Sequence, residues 1–367
     1  MSKVLYGPAE VRELRWQSSL PGKLDTILGK LDIASKVEKK RVCIKMHLGS
    51  FVGYSTIHPL FVRRLVSFIK TAGGQPFVTD ILPDALSAHE RGYTQEVLGC
   101  PILPAAGASD SYYHTYPVNY KTVTELRIAG EVCDAEYLIS LSHAKGHGNC
   151  GYGGAIKNLA IGAMTSHTRT ALHMVEHAER YWYPEKCTHF SGGCNLCVEA
   201  CKVKCMRFAK DNTLHVGFHE CNFCFGCNEL CPEGALTISD VVVEDFQELM
   251  ALATEAVLSN FPDGSSVSIN FATNITPLCD CFGMTTPNLV PDIGIFASED
   301  IVAVEKATLD SIDYKNLLPG SVPQWLIMRD VDGHLFKKIH GKDPYIQVYA
   351  CERRGLGSTR YEIEEVD

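Results

Sequence analysis

The sequence is poor in what would tie it to a membrane or to nucleic acid. No stretch offers the roughly 18 to 20 consecutive apolar residues that a membrane helix needs, and MSKVLYGPAEVRELRW at the start has no apolar core of signal-peptide length. The expectation is a cytoplasmic protein without membrane insertion. Basic residues are in deficit: 34 Lys and Arg stand against 43 Asp and Glu, a net charge of −9, which argues against nucleic acid as a general partner. Low-complexity tracts are missing, and at 46% hydrophobic and 21% charged the composition is that of a folded globular chain. Cysteine, by contrast, is plentiful: 16 in 367 residues, nine of them between Cys187 and Cys231. In a chain this large, such crowding points to metal binding in a reducing compartment rather than to disulfides.

Away from that crowd the pattern alternates between short apolar runs and amphipathic stretches. Residues 41–48 (RVCIKMHL) read as a strand, 59–71 (PLFVRRLVSFIKT) as a helix ended by Gly73 and Gly74, and 75–79 as a second strand. Residues 124–133 read as a helix, 135–142 (AEYLISLS) as a buried strand and 155–164 as a helix. After the cysteines, 241–259 read as helical, 267–272 and 293–297 as extended, and 301–312 as helical. The expected fold is α/β, a mainly parallel sheet with helices on both faces. The cysteine-rich stretch is expected to be an insertion, dividing the chain into 1–184, 185–240 and 241–367.

Cys221, Cys224, Cys227 and Cys231, followed by Pro232, have the spacing C-x2-C-x2-C-x3-C-P of bacterial ferredoxins. Three of these thiolates can wrap one 4Fe-4S cluster while the fourth ligates a second. A zinc site of four cysteines more often pairs two C-x2-C knuckles across a longer loop. The other half is irregular. Cys194, Cys197 and Cys201 keep the later spacings, but Ser191 stands at the place of the first ligand, and Cys187 is the substitute, with THFSGG bulging between. Gly192 and Gly193 make such a bulge accessible. Crossed ligation then assigns Cys187, Cys194, Cys197 and Cys231 to one cluster and Cys201, Cys221, Cys224 and Cys227 to the other. Cys205 is left over, either a packed thiol or an alternative ligand.

Strand 135–142 runs into His143-Ala-Lys145-Gly-His147-Gly-Asn-Cys150-Gly-Tyr-Gly-Gly154 and then a helix carrying Lys157 and Asn158. Strand, glycine loop and helix make an anion-binding arrangement in which Gly151, Gly153, Gly154 and Asn158 are cofactor-binding candidates. Gly146, Gly148 and Gly151 spell G-x-G-x-x-G, but no second strand ends in an acidic residue about 20 positions on, as a dinucleotide site requires. His143, Lys145, His147 and Lys157 are candidate catalytic groups around this loop, against the alternative of a solvated basic loop. Asp80 ends its strand, and in a parallel sheet it shares an edge with His47, as base, ligand or turn residue. Cys279-Asp280-Cys281 presents two thiols to one metal whether it is a strand or a turn after Pro277; ordinary loop packing is the alternative reading.

In order, IKMHLGS, AGGQPFVTD, SHAKGHGNCGYGGAIKNLAIG, the cysteine module, TPLCDC, VPDIGIFASED and GLGSTRYE resemble the iron-sulfur proteins catalogued as domain of unknown function 362, across residues 40–360. The resemblance implies an α/β fold with an inserted two-cluster ferredoxin-like module, and it brings no agreed reaction. Two departures stand out: the stretched first half-motif, and Glu305 where the family pattern leads one to expect aspartate. The glycine loop followed by Lys157, and the helix start at His58 and Pro59, resemble lactate racemases of the nickel-pincer type over a short stretch that carries no cofactor assignment. The expected function is an oxidoreductase whose clusters serve a small molecule at the glycine loop. Its competitors are an electron-carrier subunit docked to a redox partner protein, and a non-redox enzyme of racemase or lyase kind with structural clusters.

Overall fold

Short, almost continuously buried runs make strands of the segments that end in Met46, Asp80 and His143, and every residue of the last is buried, as in a strand covered on both faces. The computed structural model describes all 367 residues. In chain order the strands begin with β1 (Ser2–Pro8), β2 (Arg41–Met46), β3 (Gln75–Asp80), β4 (Ile102–Pro104), β5 (Tyr113–Tyr120), β6 (Val123–Ala129) and β7 (Tyr137–His143). There follow β8 (Lys145–His147), β9 (Gly151–Gly153), β10 (Met206–Phe208), β11 (Leu214–Val216), β12 (Ser266–Ala272), β13 (Gly294–Ser298) and β14 (Tyr361–Glu365).

Eight of them form one sheet in the order β14-β1-β13-β12-β7-β2-β3-β4. Only β13 runs against its neighbours; every other adjacent pair is parallel. The sheet is therefore mainly parallel, as expected, and β2, β3, β7 and β12 all end on one edge. Period-two alternation splits its side chains between two cores. Val42, Ile44, Ile139, Leu141 and Ile269 face helices Leu20–Lys30 and Pro59–Thr71, whereas Cys43 and Leu138 face helices Ala155–Ala160, Val241–Leu258 and Ile301–Ser311.

Local expectations fail where long-range pairing decides. Residues 124–133 are not a helix: β6 pairs antiparallel with β5, and only the turn Gly130–Cys133 is helical. The helix after the glycine loop stops at Ala160. Strands β1 and β14, from opposite ends of the chain, pair in register. No helix is long and apolar enough to cross a membrane.

The cysteine stretch leaves the main body at residues 181–183 and returns at 235–237. A bridge between Trp182 and Leu236, with Tyr183 N–H donating to Ala235 O and Thr237 N–H to Tyr181 O, draws its ends together. Between them lie three one-turn helices, the β10–β11 hairpin and a small core that includes Met206, Val216, Phe218 and Phe223.

Candidate functional site

The largest concentration of buried polar side chains lies at the edge where β2, β3, β7 and β12 end, the place where open parallel sheets bind ligands. Lys45, on β2, is fully buried and donates to Asp80 Oδ1 (2.9 Å), Asn158 Oδ1 (3.0 Å) and Met46 O (2.9 Å). Asp80 also accepts from Leu48 N (2.8 Å) and from His47 Nδ1 (2.9 Å). Burial disfavours its charge, but Lys45 and His47 outweigh that and hold the carboxyl well below the usual range. Burial likewise opposes protonation of His47, and Asp80, with Asp84 and Cys279, overcomes it and raises the pKa to about 9. Asn158 spans the strands beneath, donating to Lys45 O (2.8 Å) and to Ser140 and Ser142 Oγ (3.1 Å each).

Across the cleft, Cys279 and Cys281 flank Asp280 in a tight turn, Asp280–Phe282. Asp280 accepts from Lys145 Nζ (2.6 Å) and His143 Nδ1 (2.8 Å). Lys145 spends its remaining donors on Ser55 O (3.1 Å) and Oγ (2.7 Å), and His143 Nε2 meets Thr273 O (2.7 Å). Lys157 Nζ lies 3.3 Å from Cys279 Sγ and 3.5 Å from Cys281 Sγ. Burial alone would lower its pKa, and the two sulfurs more than reverse that. A hydrogen bond from Cys281 and the charge of Lys157 hold Cys279 toward the thiolate, against burial.

These contacts revise the roles expected of the glycine loop. It is not a solvated basic loop: His143, Lys145 and His147 are all buried. Asp80, His143, Lys157, Gly153, Gly154 and Asn158 line the cleft; Lys145, His147 and Gly151 do not. His143 and Lys145 have their polar atoms engaged, so they fix the Asp280 turn rather than face a substrate. His147 turns away, its ring 5.2 Å from that of His219, and Nδ1 accepts from Asn149 N (3.2 Å). Nor is the loop an open anion cradle. It folds into the β8–β9 hairpin, and a Cβ on Gly146, Gly148 or Gly151 would stand 2.2 Å from Pro277 O, 2.3 Å from His219 Cδ2 or 2.5 Å from Lys342 O. These three glycines permit close packing. The N-terminus of helix Ala155–Ala160 is already filled by Glu305, whose Oε1 accepts from Ala155 N (2.6 Å) and Asn270 Nδ2 (2.8 Å). Burial raises Glu305 to a pKa of about 7, only partly countered by those donors.

In the cysteine stretch, Cys187, Cys194, Cys197 and Cys231 surround one cavity. Cys201, Cys205, Cys221, Cys224 and Cys227 surround another. The insertion before Cys194 is taken up by the turn His189–Gly192, ended by Gly193 at φ 72°. Phe223 and Phe225, at φ 51° and 59°, bracket Cys224 in left-handed conformations that bend the chain around the second cavity. Backbone amides already address sulfurs: Phe223 N–H donates to Cys221 Sγ (3.4 Å) and Ala235 N–H to Cys231 Sγ (3.2 Å). Cys205 Sγ is 3.5 Å from Cys201 Sγ.

Three residues that sequence reasoning missed join this stretch to the cleft. Lys342, buried, donates to Gly148 O, Phe218 O (2.7 Å) and His219 O (3.2 Å). The His219 ring, two residues from Cys221, stands edge-on to Phe282 at 4.9 Å, and Phe282 follows Cys281. The proximity of His219 and Phe282 to cysteines was their only signal in the sequence; Lys342 had none.

No curated protein matches the chain. Among solved structures, it is similar to a Thermotoga maritima protein at 10% identity and a TM-score of 0.38, over 71% of this chain and 52% of that one. It is also similar to the lactate racemase apoprotein from Thermoanaerobacterium thermosaccharolyticum at 10% identity and a TM-score of 0.37, over 83% of this chain and 57% of that one. The chain thus spans about half the length of each structure. Residues 42–310, most of the sequence and nearly all of the sheet edge described above, match the family described as Domain of unknown function (DUF362), and the chain belongs to that family.

Proposed function

We propose that the chain is an oxidoreductase. In this reading Cys187, Cys194, Cys197 and Cys231 hold one 4Fe-4S cluster and Cys201, Cys221, Cys224 and Cys227 another, and a small molecule in the cleft is oxidised or reduced with their electrons. Support for the ligand sets comes from the two cavities, each gathering the four cysteines that crossed ferredoxin-like ligation requires, with amide donors on the sulfurs of the kind that tune such clusters. Bound clusters supply single electrons. Cys205 serves as a packed thiol at the edge of the second set.

The observation that carries the reading is the edge-on contact of His219 with Phe282 at 4.9 Å, which sets the segment holding Cys221 against the loop holding Cys281. A freestanding carrier has no need of such a contact, nor of a buried polar cleft. Lys157, held protonated, gives the cleft a positive charge that binds and orients an anionic group. A racemase or lyase needs a base with a free lone pair, and His143 and Lys157 do not provide one.

The test is anaerobic reoxidation. Protein reduced photochemically should recover its visible absorbance when given a low-molecular-mass cell extract. Lys157→Met should abolish the recovery with iron retained, and Phe282→Leu should slow it severalfold. Intact clusters that no extract fraction reoxidises, or a Lys157→Met variant that responds like wild type, would contradict the proposal.

A further inference from the structure

The cysteine pair across the cleft belongs to neither cluster set, and its surroundings are those of a separate site. A ring nitrogen of His47 and the sulfurs of Cys279 and Cys281 all lie within 4.8 Å of one another. Donors around a tetrahedral zinc-like ion stand roughly 3.5 to 3.8 Å apart, from bond lengths of about 2.3 Å to sulfur and 2.0 Å to nitrogen. Small side-chain rotations therefore close the gap.

We propose that His47, Cys279 and Cys281 bind one divalent ion of the zinc class, with an open coordination position toward the cleft for an anionic oxygen of the bound small molecule.

Four observations carry this. First, His47 Nδ1 is held by Asp80, while Nε2 is buried and has no hydrogen-bond partner although the side chain is 19% exposed overall. A carboxylate behind one ring nitrogen and nothing on the other is the arrangement of a metal-ligating histidine. Second, the turn that carries both sulfurs is fixed through Asp280 by Lys145 and His143, so the two ligands are presented together. Third, Gly153 leaves room for Lys157 beside them: a Cβ there would crowd Lys157 Cδ at 3.1 Å. Fourth, the chain offers three suitable donors and no fourth. Asp80 is saturated by Lys45, Leu48 N and His47, and Asp84 accepts from Ser50.

Two sulfurs and one nitrogen select a borderline-soft ion over magnesium or calcium. Three protein ligands with one position open is the pattern of a catalytic rather than a structural zinc site. A divalent ion balances two thiolates, and Lys157, 3.3 Å from Cys279 Sγ, leaves a net positive charge at the open position. An anionic oxygen, such as a carboxylate, is the ligand that fits it. An alternative use of His47 with Asp80 and Asp84 for a harder cation would have to displace Lys45 from Asp80.

The site is separable from the clusters, so the test uses anaerobically purified protein with its iron and sulfide counted. After incubation with Zn²⁺ and desalting, wild type should retain about one zinc per chain, and zinc-edge X-ray absorption should show two sulfur neighbours. The double variant Cys279→Ser/Cys281→Ser should retain at least tenfold less zinc with iron and sulfide unchanged. Asp80→Asn, a positioning residue, should weaken retention about 10- to 100-fold while leaving the two-sulfur signature. If the double variant also loses iron, His47→Ala decides, since zinc lost with iron intact is expected there too. Equal zinc in the double variant or in His47→Ala, a four-sulfur shell, or a Cys279–Cys281 disulfide found by anaerobic alkylation and mass spectrometry would overturn the proposal. Normal zinc binding by protein without labile sulfide would sink the cluster reading and leave this one standing.

Discussion

The sheet body and the cysteine module are held together by different means. The body has cores of 49 and 29 buried residues on its two faces, burial enough to hold its fold by the hydrophobic effect alone. The module's core has 11 residues, two of them cysteines, and two borrowed from the start of helix Val241–Leu258. A unit so small usually depends on metal or disulfide for its order, and its cysteines are all unpaired. Under the two-cluster proposal ligand chemistry holds the module, whereas packing holds the body.

The sharpest way to break that comparison is Cys224→Ala. Under the two-cluster proposal about half the iron should be lost, and limited proteolysis should open residues 185–240 while the body stays resistant; a body that unfolds alongside would mean the two regions are one cooperative unit. Next is Lys342→Met at the seam. It leaves three carbonyls without their donor, and we expect a loss of about 3 kcal/mol in denaturant unfolding. Indifference to this change would show that the seam does not hold the regions together.

The body's own weak point is Glu305. Its folded pKa of about 7 stands above the ordinary 4.5, so the folded state binds the extra proton. That stability is fully present below pH 4.5 and is lost as pH rises through about 7, a fall on the order of 3 kcal/mol. Glu305→Gln should remove the slope, measured by chemical denaturation at several pH values in a cluster-free preparation. A slope that survives would place the titration elsewhere.

Much of this was legible in the sequence, but only where the cause is local. The unit of β2, helix Pro59–Thr71 and β3 follows from periodicity and the Gly73-Gly74 stop, and the cysteine spacing already separates the two groups that share a cavity. Asp80 and His47 were expected on one edge because parallel strands put their ends there. Residues 124–133 misled because Leu126, Ala129 and Cys133 also fit a helical spacing, and the strand character of β6 comes from β5. The anion-binding reading of the glycine loop failed for a longer-range reason: Glu305, 150 residues away, occupies the helix N-terminus. His143 and Lys145 were expected as candidate catalytic groups around the loop, yet they are buried and their role is set by Asp280, which only the fold brings to them.

The claim on which the proposed function depends is that the cysteine module carries two 4Fe-4S clusters. Iron and acid-labile sulfide counted in anaerobically purified protein, with electron paramagnetic resonance after reduction, test it most directly. We expect about eight of each per chain and the signals of reduced 4Fe-4S clusters; zinc in place of iron, with no labile sulfide, would contradict it.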